Sequence, residues 1–185
     1  MPYQTVRRVL VHEYPKYRAH LKALDAESTV LRFGFPCSHA VIDQLCDKFE
    51  ADTKNHILFA IEDSNLNLIA VGHIAIQDGM ELALSVLKVH QAKGMGSALM
   101  KRCIQWCRTK DILKGSMLCL STNRAIRHLC VKHGIHIHSE HGEILADIEL
   151  DHANLSTYVA EAADSNLAAM DYVGKRLPNM WVFNK

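Results

Sequence analysis

The sequence predicts an α/β fold in which a central, mixed but mostly antiparallel sheet is flanked by helices. Three strand-like segments follow one another in the middle of the chain, and the hydrophobic period then changes from two residues to about 3.6. After that change, helices and strands alternate. The 185 residues suit one domain, so we expect a single domain over residues 1–185, with residues 156–185 as a C-terminal helical extension.

Composition and charge are those of a globular protein. The sequence is 49% hydrophobic and 22% charged, and its formal net charge is +1 at pH 7. This balance gives no electrostatic reason to expect nucleic acid or a membrane as a partner. Six cysteines without a C-x-x-C pair indicate a reducing compartment. Because no signal peptide or long apolar segment is evident, we expect a cytoplasmic location.

The N-terminal part of the chain is expected to contain a strand at residues 5–11 and a helix at residues 14–24. Residues 29–33 are apolar and β-branched, which favours an extended segment. Ser38 is a suitable N-cap for a helix that starts at His39. In that helix the apolar residues recur at helical spacing: Val41, Ile42, Leu45, Cys46 and Phe49.

Three consecutive strands are expected next, at residues 57–62, 68–76 and 80–87. An Asp-Ser-Asn cluster at residues 63–65 separates the first two, and an Asp-Gly pair at residues 78–79 separates the second and third. Tight turns of this kind join antiparallel strands, so the three segments indicate a meander.

Helices and strands alternate in the second half of the chain. They are expected at residues 95–107 (helix), 117–121 (strand), 123–133 (helix), 136–138 (strand), 143–150 (strand) and 156–177 (helix). Gly134 suits the residue that closes the second of these helices.

The most informative segment is a strand that runs into a glycine-rich turn, which then opens a helix. Gly94 and Gly96 have no Cβ atoms, so a ligand can approach the backbone closely. The first amides of the following helix have no partner within the helix, and together with the helix dipole they form an anion site. A pyrophosphate is the natural occupant of such a site.

Two other phosphate-binding motifs do not fit this turn. A dinucleotide-binding fingerprint needs a third glycine within a parallel βαβ unit, whereas position 99 is Leu and the preceding strand follows a tight hairpin. A P-loop needs Gly-Lys followed by Ser or Thr, which does not follow these glycines.

The hexapeptide Gln-Ala-Lys-Gly-Met-Gly at residues 91–96 resembles the Q/R-x-x-G-x-G/A signature of the GNAT superfamily of N-acetyltransferases. Residues 118–134 are similar to the family's next strand and helix, with Asn123 at its customary asparagine and Gly134 at its helix-ending glycine. The resemblance covers about residues 29–150. It implies the GNAT fold with a splayed sheet, and an enzyme that transfers acetyl from acetyl-CoA to a primary amine.

The same resemblance implies which residues hold acetyl-CoA. Backbone groups of Leu84, Ser85 and Val86 would bind the pantetheine and the acetyl carbonyl, and Asn123 would contact the pantetheine arm or the leaving side. The turn would bind the pyrophosphate through these residues: Gln91, Ala92, Lys93, Gly94, Met95, Gly96 and Ser97.

In this family the amine attacks the thioester directly, so a base must remove a proton from the incoming ammonium. Glu81 is the first candidate because it shares a strand face with Ser85 by the two-residue period, and partial burial there would raise its pKa. His73 is the second, because the unperturbed pKa of a histidine is about 6.5. The alternatives are an exposed strand carboxylate and a structural histidine.

Many members of the family carry a tyrosine as general acid at the position that Cys130 holds here. A thiol could protonate the CoA thiolate, although a cysteine on a helix is usually part of the core. A thiolate is also a tolerable leaving group without an acid. The alternative function is a degenerate domain that binds acetyl-CoA without catalysis, as a sensor or interaction module.

Two classes of acceptor are considered. Arg32 and Phe33 ahead of a Ser-capped helix, with Glu81 and the non-tyrosine Cys130, resemble the GNAT domain of bacterial protein lysine acetyltransferases, which implies a protein lysine. The other class is a small cationic amine, which would require an acidic pocket. Three residues could supply one: Glu140, Glu143 and Asp147.

Two further groups of residues are open to a functional interpretation. Four histidines cluster after the second block: His133, His136, His138 and His141. No cysteine or carboxylate has convincing spacing to them, so no metal is expected. Met180, Trp181 and Phe183 are expected either to dock the C-terminus or to contact a partner subunit, as in a homodimer.

Overall fold

The computed structural model of the protein describes residues 4–140 and 143–182, which form seven strands and six α-helices. In chain order they are β1 (Arg7–Arg8), α1 (Tyr14–Lys22), α2 (Ala26–Phe33), α3 (His39–Ala51), β2 (His56–Glu62), β3 (Leu68–Ile76), β4 (Met80–Val86), α4 (Met95–Thr109), β5 (Lys114–Leu120), α5 (Arg124–Lys132), β6 (His136–Glu140), β7 (Glu143–Glu149) and α6 (Leu155–Val182).

The strands form one sheet in the order β1-β2-β3-β4-β5-β7-β6. Every neighbouring pair is antiparallel except β4 and β5, which are parallel. The predicted α/β fold with a mixed, mostly antiparallel sheet is therefore confirmed. The strand expected at residues 5–11 is shorter, since only Arg7 and Arg8 pair with β2.

Helix caps place two of the helices where the sequence predicts them. The Ser38 hydroxyl accepts a hydrogen bond from the Val41 amide at 3.3 Å, at the start of α3. The Asn123 side chain accepts from the Ile126 amide at 3.1 Å, at the start of α5. Gly134, with φ of +69°, follows the end of α5 in the left-handed conformation that favours glycine.

The extended segment predicted at residues 29–33 is wrong, because these residues belong to helix α2. The Asp25 carboxylate caps this helix by accepting from the Ser28 amide at 2.8 Å, and Gly34 ends it with φ of +81°. The Thr29 hydroxyl donates to the Asp25 carbonyl at 2.8 Å, which accommodates its β-branched side chain in the helix. Caps at both ends thus outweigh the strand propensity of the residues between them.

The sheet separates two hydrophobic cores, because successive strand residues face opposite sides. One core lies against α4 and includes Phe59, Ile74, Leu82, Leu99 and Met100. The other lies against α1 and α3 and is built from these buried residues among others: Tyr17, Leu21, Ile42, Leu58 and Val71. On β4 the residues Glu81, Ala83 and Ser85 therefore face the side that carries α1 and α3.

Strands β4 and β5 diverge soon after they meet. Their parallel ladder contains only the pairs Met80–Gly115 and Glu81–Ser116. The splayed sheet that the resemblance implies is therefore present, and the ladder between these two strands ends at Glu81 and Ser116. The divergence opens a gap in the middle of the sheet.

The closest approach of the two strands requires a glycine. A Cβ atom on Gly115 would lie 2.2 Å from the Met80 carbonyl oxygen. We expect Gly115→Ala to lower the free energy of unfolding by about 1–3 kcal/mol, because the strands must move apart. Urea denaturation measures this loss. Gly174→Ala in α6 is the control: a Cβ there meets no atom within 4 Å, so stability should be kept or rise. Equal stability of the two variants would contradict the close approach.

The C-terminal helix α6 packs against α4 and the β1–β2 edge of the sheet. The buried Arg102 of α4 pairs with Glu161 and donates to the Ser165 hydroxyl at 2.9 Å. Lys175 donates to the Glu62 carbonyl at 3.1 Å. The side chains of the C-terminal Met180, Trp181 and Phe183 lie outside the described residues. Across the described segments, α6 included, no helix combines the length and apolar character that crossing a membrane requires.

Candidate active site

A cavity of about 550 Å³ occupies the gap between β4, α2, α4 and α5. All the cofactor-binding residues predicted from the sequence line it, except Lys93. They are Leu84, Ser85, Val86, Gln91, Ala92, Gly94, Met95, Gly96, Ser97 and Asn123. Two separate sequence blocks, the glycine turn and the start of α5, therefore meet around one space.

The glycine turn has the conformation that an anion site needs. Gly94 is the N-cap of α4 and has φ of +83°. The first intrahelical bond runs from the Ala98 amide to the Gly94 carbonyl at 3.1 Å, so the amides of Met95, Gly96 and Ser97 have no acceptor within the helix. Gly96 has little free space, because a Cβ there would lie 3.0 Å from Leu129 Cδ1. The turn thus presents free N–H groups at the positive end of a helix dipole.

Side chains of the turn brace it against its surroundings. Gln91 donates to the Val86 carbonyl at 3.1 Å, which ties the turn to the end of β4. Lys93 donates to the Val89 carbonyl at 2.8 Å. The Lys93 side chain lies outside the large cavity and lines an adjoining one of about 300 Å³ together with Lys101 and Lys132. The Lys93 side chain therefore places positive charge beside the large cavity, and its predicted role in cofactor binding stays a prediction.

Ser85 is held by a histidine that sequence analysis did not identify. His20 Nδ1 lies 2.8 Å from the Leu68 carbonyl, and His20 Nε2 lies 2.8 Å from the Ser85 hydroxyl. Because a carbonyl only accepts, Nδ1 carries the proton, and Nε2 accepts from Ser85. Burial lowers the pKa of His20 to about 4. His20 is therefore neutral near pH 7 and orients the Ser85 hydroxyl.

A second cavity of about 380 Å³ adjoins the first and shares Leu31 and Arg32 with it. Both base candidates, Glu81 and His73, line this cavity. They come from neighbouring strands on one sheet face, where His73 pairs with Ala83. We call this space the acceptor-side cavity, and the space at the glycine turn the turn-side cavity.

Glu81 lies on the predicted face of the sheet, but its side chain is not buried as predicted. Its side chain is exposed, so the expected partial burial is wrong. The carboxylate lies near His56, whose pKa is lowered by burial and partly restored by Asp52 and Glu81. Glu81 is consequently a solvent-accessible carboxylate at the wall of the acceptor-side cavity.

His73 is buried, and both of its ring nitrogens are engaged. Nε2 lies 2.9 Å from His56 Nδ1, while Nδ1 lies 3.2 Å from Arg32 Nη2 and 3.4 Å from the Tyr17 hydroxyl. Burial, and then the charges of Arg32 and His56, hold its pKa well below the usual value. His73 is therefore a weaker base than the sequence suggests, because a low pKa reduces its affinity for the proton.

Cys130 lies in the hydrophobic core beside α4 and lines neither cavity. Its side chain is completely buried. The core interpretation of this cysteine fits the structure. With the thiol in the core, the predicted general-acid role of Cys130 remains a prediction.

Of the three residues of the proposed acidic pocket, the structure describes the side chain of Asp147, which does not line the acceptor-side cavity. Asp147 lines a different cavity, on β5, β6 and β7, with His136 and His138, and its Oδ2 lies 3.3 Å from His138 Nε2. The side chains of Glu140 and Glu143 and all of His141 lie outside the described residues. His133 is separate from these residues and lies 3.1 Å from the Ser97 hydroxyl. Among the described residues, no group of three or more His, Cys, Asp or Glu could hold a metal ion.

Comparison with known proteins places the chain in a family. The family model described as "Acetyltransferase (GNAT) family" matches residues 21–135, which include the glycine turn and the start of α5. The protein belongs to the GNAT acetyltransferase family. A search among curated proteins finds no significant match.

Solved structures share the fold. The GNAT domain of S. lividans PAT is 20% identical with a TM-score of 0.67, covering 78% of this chain and 89% of that domain. The ribosomal-protein-alanine N-acetyltransferase from Brucella melitensis is 13% identical with a TM-score of 0.60, covering 79% and 99%. The PaiA N-acetyltransferase from Thermoplasma acidophilum, in complex with coenzyme A, is 13% identical with a TM-score of 0.57, covering 78% and 97%. At these identities the similarity shows that the chain has the GNAT fold.

Proposed function

We propose that the protein is an acyl-CoA-dependent N-acetyltransferase that transfers acetyl from acetyl-CoA to a primary amine. The observation that carries the proposal is the meeting of two cavities at Leu31 and Arg32, one built on an anion-binding turn and the other containing a carboxylate. Such a pair suits a reaction between a phosphorylated donor and an amine. Similar structures that are N-acetyltransferases, one of them in complex with coenzyme A, support the same activity.

The residues of the turn-side cavity fit a CoA thioester. The free amides of Met95, Gly96 and Ser97 would bind the pyrophosphate, since charge-assisted hydrogen bonds to an anion are the strong ones. Beyond Glu81, β4 pairs with β3 on one side only, so backbone groups of residues 84–86 can bind the amides of a pantetheine arm. Asn123, fixed by its capping bond, would form part of the wall along that arm.

The reaction requires one base and no covalent enzyme intermediate. Acetyl-CoA supplies the acetyl group as a thioester. The ammonium of the acceptor loses one proton to the base, its nitrogen forms the bond to the carbonyl carbon, the C–S bond breaks, and the second proton of the nitrogen passes to the leaving sulfur. R–NH₃⁺ and acetyl-CoA thus give R–NH–CO–CH₃, CoA thiol and one proton. Glu81 takes the proton of the ammonium directly or through a water, and passes it to the solvent to which it is exposed.

Glu81→Gln should lower kcat by at least about tenfold at pH 7, because a positioned base contributes about 10²–10⁴-fold. Acetyl-CoA affinity should stay unchanged, since Glu81 does not line the turn-side cavity. The loss should shrink at high pH, where free amine forms without help. Steady-state kinetics over a pH series, with a panel of amines and lysine-containing proteins, measures this.

Glu149→Gln is the matched control for this variant. Glu149 is also an exposed strand carboxylate, but it lies on β7 and lines neither of the two joined cavities. Its replacement should leave kcat unchanged. A Glu81→Gln enzyme with the kcat of the wild type at pH 7 would remove Glu81 from the mechanism and make His73 the remaining candidate.

The second candidate function is a domain that binds acetyl-CoA without transfer. The burial of Cys130 away from both cavities favours it, because the residue at the family's general-acid position does not reach the site. Calorimetric binding of acetyl-CoA, together with no acetylation of any amine in the panel, would establish this function in place of the enzyme.

A further inference from the structure

We propose that the acceptor is a free α-amino acid with an apolar side chain, and that Arg32 binds its carboxylate. The inference rests on the proposed acetyl transfer and specifies the substrate class for the same site. A free α-amino acid differs from a protein lysine and from a polyamine, because neither of these carries a carboxylate beside the reacting nitrogen.

Arg32 lies at the junction of the two cavities, where the acetyl donor and the amine acceptor must meet. It projects from α2 and lines both the turn-side and the acceptor-side cavity. Its Nη2 atom lies 3.2 Å from the Tyr17 hydroxyl and 3.2 Å from His73 Nδ1, which are both uncharged partners. These two contacts fix the guanidinium at the junction of the cavities.

The charge of Arg32 has no protein counter-ion in the part of the chain that the structure describes. No carboxylate oxygen of a described residue lies within 4.0 Å of the guanidinium of this half-buried residue, whereas the buried Arg7 and Arg102 each pair with at least one glutamate. The Arg32 Nε atom is buried and has no hydrogen-bond partner among the described residues. Because an unmatched buried donor costs free energy, such a group favours a ligand that brings an anion.

The neighbouring histidines do not add to this charge. Burial lowers the pKa of both His56 and His73, and Arg32 lowers that of His73 further. They are therefore neutral near pH 7, and Arg32 and Glu81 are the charged side chains on the described wall of the acceptor-side cavity. One positive and one negative group complement a zwitterion better than a polyamine, which Arg32 would repel.

The position of the positive charge selects an α-amino acid among the zwitterions. In an α-amino acid the nitrogen and the carboxylate are attached to the same carbon. A carboxylate bound at the junction therefore holds the nitrogen at the entrance to the thioester cavity. In a lysine side chain within a protein, the nearest backbone carbonyl is several bonds away and uncharged.

The rest of the wall indicates an apolar side chain. Phe33, Phe35, Leu45 and Phe49 line the acceptor-side cavity. Its volume of about 380 Å³ lies in the range of small-molecule sites. Burying an apolar side chain against these aromatic and aliphatic walls removes it from water and stabilises binding of the substrate. Leucine and phenylalanine are therefore suitable first substrates.

The test compares each amino acid with its own amide, which keeps the amine and the side chain but has no carboxylate. Leucine and phenylalanine should have kcat/KM at least about tenfold above leucinamide and phenylalaninamide, because a lost charge-assisted hydrogen bond costs about 1.5–3 kcal/mol. The kcat/KM values of leucine and phenylalanine should also exceed those of spermidine and of a lysine peptide with blocked ends.

Variants assign the preference to Arg32. In Arg32→Gln the ratio of kcat/KM for the amino acid to kcat/KM for its amide should fall towards one. In Arg32→Lys this ratio should lie between those of Arg32→Gln and the wild type. This ratio is measured within one protein sample, so it does not depend on the folded fraction of a variant. A structural role would reduce the rates of both acceptors equally and keep the ratio.

The outcomes separate this inference from the proposed function. Equal kcat/KM for amino acids and amides in the wild type, or a preference for the lysine peptide or spermidine, would overturn the amino-acid proposal while leaving the transferase in place. An unchanged ratio in Arg32→Gln would overturn the role of Arg32. Binding of acetyl-CoA without acetylation of any of these amines would overturn the proposed function itself.

Discussion

Replacing Gly96 with glutamate should lower the affinity for acetyl-CoA by more than about 100-fold. The new carboxylate would lie beside amides that are free to bind an anion, and a Cβ at this position already contacts Leu129 Cδ1 at 3.0 Å. Loss of two charge-assisted hydrogen bonds corresponds to at least about 3 kcal/mol, which is more than a hundredfold in Kd. Repulsion between the carboxylate and the phosphates adds to this loss.

Two further substitutions at Gly96 separate the steric part of this effect from the electrostatic part. Gly96→Gln has the size of glutamate without its charge, and should give an intermediate affinity. Gly96→Ala should have a small effect, because only the flexible end of Leu129 must yield. Isothermal titration calorimetry measures all three Kd values. An unchanged Kd in a folded Gly96→Glu protein would remove the turn from the cofactor site.

Replacing Arg7 with methionine should lower the free energy of unfolding by about 3 kcal/mol. Arg7 is buried and donates to both Glu13 and Glu62, with closest distances of 2.6 Å and 2.5 Å. Its removal leaves two buried carboxylates without their main partner, which typically costs about 3–5 kcal/mol. Lys16, at 3.1 Å from Glu13, remains and keeps the expected loss at the lower end of this range.

The matched control is Arg8→Met at the next position of the same strand. Arg8 is exposed, and its contact is with the Trp106 ring at 5.7 Å, so the expected loss is below about 1 kcal/mol. Urea denaturation of both variants measures the difference. If Arg7→Met were as stable as Arg8→Met, the buried charge network would not contribute to the fold.

The effect of Arg7→Met should also depend on pH. Burial alone would raise the pKa of Glu13, but the hydrogen bonds and charge of Arg7 lower it from 4.5 to about 2. A carboxylate with a lowered pKa stabilises the fold fully above its unfolded value and loses this contribution as the pH falls towards the folded value. The difference in stability between wild type and Arg7→Met should therefore be largest above about pH 5 and shrink towards pH 2.

Sequence reasoning predicted the turn-side cavity well because its signals are local. The order of strand, glycine turn and helix lies within about twenty consecutive residues, and Asn123 is marked by its own helix start. The turn residues could be assigned without knowledge of distant contacts. The direction of the Lys93 side chain could not be assigned in this way, because it depends on the hydrogen bond to the Val89 carbonyl.

The acceptor-side cavity was predicted only in part, because it depends on contacts between distant segments. The two-residue period placed Glu81 on the correct face, but its exposure depends on what covers that face. His20 and Tyr17 lie on α1 and meet β4 and β3 across 65 and 56 residues of sequence. No local pattern marks such partners. The cap at Asp25 and the stop at Gly34 were local signals for α2, which positions Arg32, and these could have been recognised.

The short ladder between β4 and β5 has a consequence for how the protein avoids pairing with other chains. Two strands that separate after two registered pairs leave unpaired main-chain groups along both inner edges. Free sheet edges normally invite another strand and promote aggregation. Here α2, α4 and α5 line the space beside β4, so the open edge of this strand faces a cavity. The sheet can therefore offer the backbone of β4 to a small ligand with amide groups, while the surrounding helices hinder the approach of a strand from another molecule.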